Sequence, residues 1–67
     1  MVLEAKVKRV TGNTVRIQTE PSGFVMIHMD QRGNYVNDTW HPSLEDAKAQ
    51  ARSEFEVEDQ DWVQLLP

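Results

Sequence analysis

Asp38-Thr39-Trp40-His41-Pro42-Ser43-Leu44-Glu45-Asp46-Ala47 joins the end of a strand to the start of a helix. Pro42 stops the strand because it has no N–H to give to a ladder. Ser43-x-x-Asp46 makes a start resembling a capping box, and Glu45 and Asp46 bring negative charge to the positive end of the helix dipole. Leu44, Ala47, Ala51 and Phe55 then recur at helical spacing, which predicts a helix over 43–56 with one narrow apolar stripe. Alanines at 47, 49 and 51 let its backbone approach the layer beneath. No glycine closes this helix, and Glu54 and Glu56 sit where the dipole favours cations, so fraying is expected near Val57.

Upstream of this junction, Thr11-Gly12-Asn13, Pro21-Ser22-Gly23 and Gln31-Arg32-Gly33-Asn34 divide the chain into four strand-like runs, a meander. Register follows from asking which loop lengths collect apolar residues on one face, since a one-residue slip inverts a strand. Three-residue loops at the first two turns pair Val7 with Ile17, Thr19 with Val25, Ile17 with Ile27 and Val15 with Met29. The third turn pairs Asp30 with Tyr35, Met29 with Val36, Ile27 with Asp38 and Val25 with Trp40. The expected core face is therefore Leu3, Ala5, Val7, Val15, Ile17, Val25, Ile27, Met29, Val36 and Trp40, covered by the helix. Downstream, Trp62, Val63 and Leu65 either add a short strand or tuck in as an extended segment. The extended segment is the expectation adopted, with Trp62 contributing about 2–3 kcal/mol on burial. The fold class expected over 1–67 is a single α+β domain: a four-stranded antiparallel meander, one C-terminal helix on one face, and a short extended C-terminal segment.

The same register sends Phe24, Met26, His28, Tyr35 and Asn37 to the opposite, outer face, with apolar Phe24 and Met26 at its centre. A sheet face of that kind suggests self-association or a protein partner. Asp38 falls among core positions in this register and needs donors there, either free N–H groups at the helix start or the Trp40 and Trp62 indoles.

Chemistry is sparse. His28 and His41 share a face with Asp30 and Asn37, but no His-x-x-x-His and no third strong ligand accompanies them, short of the usual zinc sets. The same His/Asp grouping is an alternative acid/base site, with no nucleophile elbow, oxyanion loop or phosphate cradle beside it. Asp59-x-Asp61 begins like a calcium loop without the glycine and closing glutamate that such a loop requires. No catalytic residue, metal site or cofactor is assigned, and the reading is non-catalytic.

Charge separates the remaining classes. The chain has 67 residues and a formal charge of −4. Residues 1–42 carry five Lys/Arg against four Asp/Glu, or +1, and residues 43–67 carry two against seven, or −5. Lys6, Lys8, Arg9 and Arg16 give the first hairpin a basic edge, with Lys8 expected opposite Arg16, a strain that a bound anion would relieve. That is the alternative, nucleic-acid reading, and a pI near 4.9 speaks against it. Zero cysteines exclude disulfides and thiolate metal sites, and no stretch approaches the length of a membrane span or a secretory signal. A cytoplasmic protein is expected.

Asp38-Thr39-Trp40-His41, then Ser43-Leu44-Glu45-Asp46-Ala47-Lys48-x-Gln50-Ala51, Glu54-Phe55 and Asp61-Trp62, resemble small uncharacterised bacterial proteins with a β-meander followed by one helix. The similarity covers about the last thirty residues. It implies the meander-plus-helix fold and a bacterial origin, and it carries no catalytic role to any residue. Such chains commonly place glycine before Val57, where this one has Glu56.

Overall fold

The computed structural model describes residues Met1–Pro67. Four strands, β1 (Val2–Lys6), β2 (Thr14–Glu20), β3 (Gly23–Met29) and β4 (Tyr35–His41), precede the helix α1 (Leu44–Phe55). A 3-10 turn, Asp59–Asp61, leads into a last strand, β5 (Val63–Leu66). The fold is α+β, an antiparallel sheet of five strands in the order β4-β3-β2-β1-β5 with one helix packed on it. The C-terminal segment is thus a fifth strand. It pairs with the free edge of β1, Leu3 opposite Gln64 and Glu4 opposite Val63.

Two hairpin registers differ from expectation, with unequal consequences. The first connection is longer than three residues: Lys6 pairs with Thr14, and the loop is closed by the Val7 N–H donating to the Asn13 carbonyl at 2.9 Å. Leu3 therefore faces Ile17, and Ala5 faces Val15. The slip is four residues, an even number, so both strands keep the same face inward. The second connection is a two-residue turn, Pro21-Ser22, with Glu20 opposite Gly23 and Ile17 opposite Met26. This slip is one residue, so all of β3 is inverted.

The inversion arises from turn chemistry and volume. Proline at the second position and glycine at the fourth are what a type I turn favours, and Glu20-Pro21-Ser22-Gly23 supplies both. Beneath the small side chains of Ala47 and Ala51, the long side chains of Phe24 and Met26 fill space that Val25 and Ile27 would leave empty. The core is Leu3, Ala5, Val7, Val15, Ile17, Met26, Ala47, Ala51, Phe55 and Val57, with Met1, Phe24, Leu44 and Trp62 packed at its margin. Val15 and Ile17 are completely shielded, each worth about 1.5–3 kcal/mol. Val25, Ile27, Met29, Val36 and Trp40, expected in the core, lie on the other face of the sheet.

Both helix ends are closed. The Ser43 hydroxyl accepts the Asp46 N–H at 3.1 Å. At the other end Glu56 takes the left-handed conformation with φ 60°, and its N–H donates to the Arg52 carbonyl at 3.1 Å. The expected fraying does not occur, because Val57 beyond the cap is 1% exposed and anchors the chain in the core. Glu56 does there what glycine usually does, at a cost of about 1–2 kcal/mol. From Val57 the 3-10 turn, held by the Glu58 N–H on the Asp61 carboxylate at 2.8 Å and by the Lys8–Asp61 ion pair at 2.8 Å, returns the chain to β1.

Candidate interaction surface

The face of the sheet away from α1 has no covering layer. On β3 it carries Val25, Ile27 and Met29, and opposite them on β4 Trp40 and Asp38, by direct pairing of Val25 with Trp40 and Ile27 with Asp38. A β-bulge interrupts the next rung: His28 pairs with Asn37 but Met29 pairs with Tyr35, leaving Val36 as the extra residue. Without the bulge, Tyr35 would alternate onto the helix side with Asn37. With it, Tyr35 joins Val36 beside Met29 and comes within reach of Asp38. Partial desolvation, and then the Asp38 carboxylate, raise the Tyr35 phenol above its ordinary value of 10.0.

Trp40 is the anchor of this corner. It is 54% exposed, yet its indole lies against the backbone of Gly23, where a Cβ would meet Trp40 Cζ2 at 2.7 Å and the His41 carbonyl oxygen at 2.5 Å. The missing side chain of Gly23 is what seats the ring, so a large aromatic is held in place while one side of it faces outward. Further along, Arg16 on β2 reaches across to Glu4 on β1 at 2.8 Å, a half-buried pair at the middle of the face. Val2, Val63 and Leu66 extend the apolar surface to the β5 edge.

Of the residues expected to form a partner surface, only Tyr35 lies on this outer face. Phe24, Met26, His28 and Asn37 sit on the helix side. Met26 is 2% exposed, Phe24 packs on the core, and the His28 ring lies 4.7 Å from the Phe55 ring while its Nε2 contacts the Asn13 amide at 3.1 Å. Asp38, expected among core positions, is exposed, and neither tryptophan serves it. Trp62 Nε1 is buried without a partner, at a cost of about 1–3 kcal/mol.

The basic hairpin is dispersed. Arg16 faces Glu4 rather than Lys8, Lys8 is bound to Asp61, and Arg9 to Glu56 at 2.7 Å, leaving Lys6 outside these pairs. Lys8 is raised above its ordinary value and Asp61 lowered below its own, in each case first by their shared hydrogen bond. His28 and His41 do share a side, the helix side, but four residues apart along the ladder they stand roughly 14 Å from each other. His41 Nε2 contacts the Thr39 hydroxyl at 2.8 Å, and no group of three or more His, Cys, Asp or Glu assembles. An open cleft of about 390 Å³ lies where β1 outruns β5, lined by Glu4, Ala5, Lys6, Lys8, Asp61, Val63 and Leu65. Its lip is bridged by the Lys8–Asp61 pair. No helix is long and apolar enough to cross a membrane.

No protein-family model, curated protein or solved structure matches the chain.

The surface residues that sequence reasoning assigned to the core, Val25, Ile27, Met29, Val36 and Trp40, were separable from Phe24 and Met26 by one signal. Every position from Phe24 to Ile27 is apolar, so alternation does not choose a face. The Pro-Ser-Gly spacing does choose, through the turn it favours.

Proposed function

We propose that the protein is a small non-catalytic module that binds a protein partner through the outer face of its sheet. The reading rests on one observation: Val25, Ile27, Met29, Val36 and Trp40 form a contiguous apolar patch on the face with no helix, with Tyr35 and Asp38 among them. Exposed tryptophan and tyrosine beside aliphatic side chains on a rigid sheet are what protein interfaces enrich. Trp40, seated on Gly23, loses little freedom on binding, which favours affinity. A chain with zero cysteines needs no oxidising compartment to fold, which fits a cytoplasmic setting.

Affinity capture from a lysate of the source organism tests this, with wild type, Ile27→Lys and Ala49→Lys as baits. Ile27 is on the outer face and Ala49 is exposed on the helix. Proteins retained by wild type and Ala49→Lys but lost with Ile27→Lys are the expected result. The same set retained by all three baits contradicts the proposal.

A further inference from the structure

Building on the outer face as a binding surface, we infer that its occupant is a second copy of this chain, the two sheets packing face to face as a reversible dimer. Charge placement argues for a copy. Residues 43–67, which comprise the helix, the 3-10 turn and β5, hold −5 of a chain whose total is −4. The outer face holds Lys6 and Arg16 against Glu4, Asp38 and the peripheral Glu20, close to neutral, and its central Arg16 is already satisfied by Glu4 at 2.8 Å. The helix itself carries only −1, and −4 lies in the turn after it, Glu56, Glu58, Asp59 and Asp61, of which Glu56 and Asp61 are paired with Arg9 and Lys8. Two chains of −4 repel overall, and apposing their outer faces brings nearly neutral surfaces together while keeping these acidic turns out of the contact.

Area bounds what such a pair can bury. Five strands about 4.8 Å apart and about 20 Å long give a face of roughly 500 Å² per copy, or about 1,000 Å² for both, at the lower bound for a specific interface. Aligned sheet packing, strands about 30° apart, interleaves the aliphatic and aromatic residues of one copy with those of the other. A small interface with a charged centre predicts a weak, reversible pair, with a dissociation constant of about 10 µM or more. Edge-to-edge pairing through β4 or β5 is the competing geometry; the bulge at Val36 interrupts the regular ladder on β4, and the extra residue Leu65 does so on the four-residue β5.

Sedimentation of the full chain from about 5 µM to about 1 mM reaches into that range. The weight-average mass is expected to climb from 7.7 kDa toward twice that value. Ile27→Lys is expected to remain at the monomer mass throughout, with an unchanged far-UV spectrum, and Ala49→Lys to behave as wild type. Concentration-dependent ¹H–¹⁵N shifts of the wild type give a second readout without any substitution, and are expected on outer-face residues of all five strands. A wild-type mass fixed at 7.7 kDa, or shifts confined to β4 or to β5, overturns the inference. A fixed monomer that still captures proteins in an Ile27-dependent way refutes the second copy alone and leaves the binding face standing.

Discussion

Replacing Gly23 by alanine adds one methyl group and perturbs the turn, the β3–β4 register and the Trp40 anchor together. The new Cβ would sit 2.5 Å from the His41 carbonyl oxygen and 2.7 and 2.9 Å from two indole carbons of Trp40. The indole can swing away. The carbonyl is backbone, on the residue paired with Phe24, and it retreats only if the ends of β3 and β4 part. Loss of one end rung costs about 1 kcal/mol, and lifting part of the Trp40 ring from its seat about 1 kcal/mol more. Stiffening of the unfolded chain by alanine gives back about 0.4–1 kcal/mol, for a net loss of about 1–2 kcal/mol. At a urea sensitivity of about 1 kcal/mol per molar, the unfolding midpoint drops by about 1–2 M. Urea titration followed by tryptophan fluorescence and far-UV circular dichroism measures this, and the native Trp40 emission should shift as the ring loses its contact. A midpoint unchanged or raised refutes the placement of Trp40 over Gly23.

The helix end and the turn after it give two further expected outcomes. Glu56→Gly removes about 1–2 kcal/mol of left-handed strain, gives up about 0.4–1 kcal/mol by loosening the unfolded chain and sacrifices the exposed Arg9 ion pair, worth a few tenths, so the melting temperature should rise by no more than about 2–4 °C; a fall of several degrees contradicts the cap assignment. Asp61 is held below its ordinary value of 3.8 by Lys8, so its carboxylate stabilises the fold above that pH, and the contribution is lost as pH falls through the lowered folded value. Wild type should therefore exceed Asp61→Asn in urea midpoint at pH 7, with the gap closing below pH 3.8; a gap that persists or widens in acid reverses the sign of the effect.

Much of the architecture was legible because its signals were local. Ser43 and Asp46 marked the helix start, the Leu44/Ala47/Ala51/Phe55 stripe marked its buried side, and three turn clusters counted the strands. Leu3, Ala5, Val7, Val15 and Ile17 were placed in the core despite a wrong loop length, because an even slip conserves the face. The outer surface was not legible in the same way. Its composition turns on one residue of register in a strand that is apolar on both sides, and on a bulge at Val36 that re-aims Tyr35. The one local cue to that register was the Glu20-Pro21-Ser22-Gly23 turn, which acts together with the volume that two alanines leave over β3. The fifth strand was equally non-local, since Val63–Leu66 gains its place from the free edge of β1, at the opposite end of the chain.

Cross-strand backbone NOEs between β2 and β3 test the central claim most directly, because the register alone decides which side chains look outward. The account predicts contacts pairing Ile17 with Met26 and Gln18 with Val25. Contacts pairing Ile17 with Ile27 and Thr19 with Val25 would return Phe24 and Met26 to the surface and remove the Val25/Ile27/Trp40 face on which the proposed binding depends.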